Sequence, residues 1–123
     1  MARGGSGGVT TLGMAATGLG ALLIALVFAG TSALFARTPA TILSGLVIVT
    51  AAGVFGSLVD SVLGGTIQAQ YATASRDATE RRSTEGSPNV LIRGLPFVTN
   101  DVVNFLSTAA GAGAGAVLSL FVR

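Results

Sequence analysis

The chain has 123 residues and no Cys, no His, no Lys and no Trp. Without Cys there is no disulfide frame, thiolate zinc site or thiol nucleophile. Without His the commonest general base and metal ligand is gone. Without Lys there is no Schiff base and no Walker-type phosphate loop. Charge is scarce too. Only 10% of the residues are charged, against about 25% in ordinary soluble domains. That is too little to wet the surface of a soluble enzyme, and 50% apolar content is too much for a disordered chain. The net charge of +2, carried by scattered arginines alone, is too weak to argue for a nucleic-acid partner, and none is expected. Any chemistry must rest on Asp, Glu, Arg, Asn, Gln, Ser, Thr and Tyr.

What is present is long apolar sequence. No charge falls between Arg3 and Arg37, between Arg37 and Asp60, or between Asp101 and Arg123. Each gap can supply the roughly 20 apolar residues that cross a bilayer as a helix. Three spans are expected, at about 12–35, 40–63 and 102–122. The first is too long for a signal-peptide core and has no clear cleavage site. The expected architecture is therefore all-α, a polytopic integral membrane protein folded as one membrane domain over 1–123. A polar loop at 68–100 joins the second and third spans. Gln68 to Arg82 reads as a helical extension leaving the membrane, followed by a turn at Glu85-Gly86-Ser87-Pro88. Thr38 before Pro39 reads as a helix start. Arg3 and four loop arginines stand on one side, against Arg37 and Arg123 on the other. This bias predicts a multi-pass protein with its N-terminus and large loop in the cytoplasm.

Polar residues inside or beside the spans are the candidate site. Gly53, Ser57, Asp60, Gly64 and Gln68 would share one face of a continuous second helix. Asn100, Asn104, Ser107, Gly111 and Gly115 would share one face of the third. A carboxylate in mid-bilayer costs about 2.5 kcal/mol or more, so Asp60 should lie near the boundary or face a cavity. Laying the two faces together would line one pocket with Asp60, Gln68, Asn100 and Asn104. Each residue also has a plain structural role open to it. Asp60 can be a boundary charge that snorkels. Asn100 can be the N-cap of the third span, with Asp101 favouring its dipole. The glycines can be packing notches. Arg76, Arg81, Arg82 and Arg93 can be a cytoplasmic anchor. The run from Arg3 to Gly8 can cradle a phosphate or simply fray.

Three segments carry a resemblance. Gly56 to Gln68 with Gln70-Tyr71, Gly94-Leu95 through Thr99 to Ser107, and Gly7 to Gly13 together resemble the transmembrane protein 19-like family (domain of unknown function 92). The likeness covers nearly the whole chain. Members of that family carry further spans upstream, with an Asp-Thr-Trp-Ala-Ser-Glu-like segment, so the chain resembles the C-terminal half. The family includes a plant phytyl-phosphate kinase, which makes phytyl diphosphate.

Three functions follow as expectations. One is a polyprenyl- or phytyl-phosphate kinase module. Asp60 would hold Mg²⁺ with help from Asn100, Asn104 or Asp101, and Gln68, Arg76, Arg81, Arg82 and Arg93 would bind phosphate. It would use a nucleoside triphosphate and a lipid phosphate; outside this reading no cofactor is implied. The second is a half without chemistry of its own, paired in the bilayer through its Gly-lined faces with a missing N-terminal half or another copy. The third is an ion- or proton-handling module, since a Gly-rich hairpin with one membrane carboxylate resembles rotary-ATPase rotor subunits.

Overall fold

The computed structural model describes residues 8–122. Arg3, the glycine-rich start at 4–7 and Arg123 lie outside them. Three long helices dominate: α1 (Thr11–Leu34), α2 (Pro39–Thr66) and α3 (Asn100–Phe121). At about 1.5 Å per residue each exceeds the ~30 Å hydrocarbon core. Each also carries a stretch apolar enough to cross a membrane.

The helix starts are written in hydroxyl side chains. Thr10 Oγ1 accepts from Gly13 N–H at 3.0 Å and caps α1. Thr38 Oγ1 accepts from Thr41 N–H at 3.2 Å, with Pro39 in the first helical position, where a missing N–H costs nothing. For α3 the cap is Thr99, whose Oγ1 accepts from Val102 N–H at 3.4 Å. Asn100 is thus the first helical residue and not the cap, because the hydroxyl one position earlier takes the orphan donor.

Two compact parts make up the chain: residue 8 with 60–106, and 9–59 with 107–122. In the second part the small residues of α2 serve two neighbours. Ser57 Oγ lies 3.2 Å from Thr17 Oγ1 of α1. A Cβ on Gly53 would come within 3.0 Å of Ala21 Cβ. On an adjacent face, a Cβ on Gly56 would meet the Ser107 carbonyl at 3.1 Å, and one on Gly111 the Ala52 carbonyl at 3.0 Å. Gly115 faces Ala52 and Ile48. The two polar faces are therefore not laid together along their lengths. The Gly53–Ser57 stripe faces α1, and α3 takes the Ala52–Gly56 stripe beside it. A middle helix with two partners needs two stripes of small residues, and close backbone approach is what they permit. The glycine faces expected to receive another chain thus meet the chain's own helices at these positions.

In the first part the polar loop folds as β-structure. Strand β1 (Gln70–Ala72) is central in a three-stranded antiparallel sheet ordered β2-β1-β5, with β2 at Ala78–Thr79 and β5 at Val90–Arg93. A hairpin pairs β3 (Ser83–Thr84) with β4 (Ser87–Pro88). The expected helix over Gln68 to Arg82 is absent. The helix ends at Thr66: Ile67 N–H makes the last helical bond, to the Leu63 carbonyl at 3.0 Å, and Gln68 N–H reaches back to that same carbonyl at 3.1 Å. From there Ala69 and Tyr71 alternate into a small core with Val98 and Val103, all four less than 7% exposed. Burial at a period of two favours a strand over a helix.

Candidate functional site

The site is assembled where α2 ends and the sheet begins. Two backbone bonds close the junction. Ala69 N–H donates to Val98 O at 2.8 Å, and Leu95 N–H donates to Ile67 O at 2.9 Å. The segment before α3 is thereby stapled to the residues that follow α2. Gly94 makes the closure possible. Its φ is +78°, a left-handed conformation, and its missing Cβ would overlap the Gln68 carbonyl.

This closure brings Gln68 and Arg93 to one place. Arg93 pairs in register with Gln70 and precedes Gly94. Its Nη2 donates to the Gly64 carbonyl at 2.9 Å. A cation at the last turn of a helix meets the negative end of its dipole, worth about 0.3–1 kcal/mol. Gln68 is only 2% exposed. Both side chains keep a buried donor without a hydrogen-bond partner among the described residues: Gln68 Nε2 and Arg93 Nε. Such an atom costs about 1–3 kcal/mol each when left unsatisfied.

The other expected residues divide. Asp60 lies one turn before Gly64 in α2, and follows Gly56 by four and Ser57 by three, so it stands between the two small-residue stripes. Asn100 and Asn104 lie in the first two turns of α3 with Asp101. Asp60 and Asn104 each have an interaction partner. Arg82 is committed to structure: its Nη2 donates to the Pro96 carbonyl at 2.6 Å. Arg76 and Arg81 are exposed along the β1–β2 turn and the link to β3. Of the four loop arginines, Arg93 alone joins Gln68 at the α2 terminus. Gln68 is not on the α2 helix, so its place beside Arg93 comes from the turn and not from a shared helical face. Among the described residues no group of three or more His, Cys, Asp or Glu side chains could hold a metal ion.

The sequence places Gln68 and Arg93 in one expected phosphate-binding set but does not show that the backbone brings them together. The one signal for their meeting is Gly94 directly after Arg93. A positive-φ glycine beside a strand marks close backbone approach.

Three long apolar helices, joined by a β-structured polar segment, define an integral, multi-pass membrane protein. A family model described as "Integral membrane protein DUF92" matches residues 1–112, and the chain belongs to that family. No curated protein and no solved structure matches the chain.

Proposed function

We propose that the chain holds the phosphate of a membrane lipid at the headgroup layer, beside the C-terminal end of α2, and presents it for phosphoryl transfer. One observation supports this reading: Gln68 Nε2 and Arg93 Nε are buried donors with no acceptor among the described residues. Phosphate oxygens are strong acceptors, and a guanidinium N–H bond to one is charge-assisted. A lipid brings its phosphate to this depth by its own anchoring, with the tail in the bilayer.

Asp60 and the carbonyl end of α2 put negative charge nearby, so a phosphate here needs more than Arg93. Mg²⁺ suits the donor set, because it is commonly held by one or two carboxylates together with substrate phosphates and water. Asp60 is the carboxylate for that role, with Asn100, Asn104 and Asp101 as further oxygen donors. The resemblance to a family that includes a phytyl-phosphate kinase directs the substrate to a prenyl phosphate. In the step, an oxygen of the lipid phosphate attacks the γ-phosphorus of a nucleoside triphosphate. A P–O–P bond forms, the β,γ-bridge breaks, and a nucleoside diphosphate leaves. Positioning and charge neutralisation dominate such a reaction, so the lack of His and Lys is no obstacle.

The test is turnover in nanodiscs with γ-labelled nucleotide, Mg²⁺ and a prenyl phosphate. Labelled prenyl diphosphate is expected from the wild type and not from Asp60→Asn. No labelled product from the wild type overturns the transfer step.

A further inference from the structure

The segment between α2 and α3 exposes apolar side chains that a solvated loop would hide. Val90 is 69% exposed, Ile92 56%, Leu95 44% and Phe97 69%. They are not scattered. Val90 and Ile92 share one face of β5, Leu91 on the other face is also exposed at 37%, and β5 is an edge strand paired on one side only. Leu95 and Phe97 follow within five residues. An apolar edge strand in water is an aggregation hazard that natural proteins cover or charge.

We infer that this edge is a membrane-interface wedge: the Val90–Phe97 segment lies in the headgroup and upper acyl layer of the bilayer. The connections fix its depth. Phe97 is three residues before the first residue of α3, a reach of about 10 Å at most. Leu95 N–H is bonded to Ile67 O, one residue past the end of α2. Both helices are long and apolar enough to cross a membrane. A segment tied to both helix ends stays within about 10 Å of them, close to the headgroup layer that adds roughly 5–7 Å to each side of the hydrocarbon. Charge agrees with this occupant. Arg82 Nη2 holds the Pro96 carbonyl at 2.6 Å, which seats a cation beside Phe97. An aromatic side chain with an arginine at the same level is the pattern of a lipid–water boundary. The wedge is independent of the phosphate site, since it concerns what covers the sheet edge and not what the buried donors hold.

The chain contains no Trp, so one substitution gives a single indole signal. Phe97→Trp, Ile92→Trp and, as a control at the β3–β4 hairpin, Ser87→Trp are each reconstituted as the full chain. The vesicles contain phosphatidylcholine and phosphatidylglycerol, with or without lipid brominated near the top of the acyl chain. Blue-shifted emission, most of it lost to the brominated lipid, is expected at positions 97 and 92. Water-like emission without quenching is expected at 87. Water-like emission at 97 and 92 overturns the wedge. Blue-shifted emission that bromine does not quench overturns it too, by showing cover from protein, whether a second copy or another chain. Equal quenching at all three positions overturns the assignment to this edge.

Discussion

Gly94 is the residue on which the candidate site turns. Its φ of +78° and its contact with the Gln68 carbonyl leave no room for a side chain. Gly94→Ala is expected to cost more than the range of about 1–3 kcal/mol for a strained left-handed residue alone, because the added Cβ also meets the Gln68 carbonyl. The check is the midpoint of thermal unfolding in detergent, followed by size-exclusion chromatography. Gly86 also has a positive φ of +79°, but nothing lies within 4 Å of its absent Cβ. Gly86→Ala should therefore cost less than Gly94→Ala, through backbone strain alone. An equal drop for both would show that the contact with Gln68 contributes nothing. Arg93 is bound at one nitrogen and unsatisfied at another. A structural cap would need only the first; the second makes it a candidate ligand.

At the scale of elements, packing is decided by which glycines touch a neighbour. Gly111 meets the Ala52 carbonyl and Gly56, whereas Gly113 has nothing within 4 Å. Gly111→Val is expected to separate α2 from α3 and lower the thermal midpoint strongly. Gly113→Val faces open space and should leave it nearly unchanged or raise it, since Gly is a poor helix former. A similar fall for both would contradict this packing. The three helices were legible in the sequence because a charge-free run of bilayer length admits few other structures. The start of α2 was legible in Thr38-Pro39 for the same local reason. The β-structure was not. From Gln68 to Arg82 the side chains are mixed and short, and the strands run only two to four residues. Their pairing depends on partners up to 23 positions away, such as Gln70 with Arg93. No local period announces such contacts. The stripe on α2 was read one face short for a similar reason. A sequence displays a small-residue face but does not say which of two neighbours takes it.

At the scale of the whole molecule, three helices that each cross once predict that the α1–α2 turn and the β-structured segment are reached from opposite sides of a bilayer. The chain has no Cys, so single cysteines report topology cleanly. In sealed, oriented cell-derived vesicles, Ser87→Cys and Thr38→Cys are expected to react with an impermeant maleimide from opposite sides. Position 87 should react from the cytoplasmic face if the arginine bias sets the orientation. Labelling of both from one side would remove the three-span arrangement. That arrangement matters for the proposed function because it would set Asp60, Gln68, Arg93 and the start of α3 at one end of two spans, the level of lipid headgroups. The most direct measurement is equilibrium binding of a prenyl phosphate to the full chain in nanodiscs, taken through a double-mutant cycle of Gln68→Leu and Arg93→Lys. Loss of a charge-assisted hydrogen bond predicts roughly tenfold or greater weakening for Arg93→Lys. The two changes should be non-additive, because both donors serve one phosphate. Wild-type affinity in the double variant would contradict the assignment of these buried donors to a lipid phosphate.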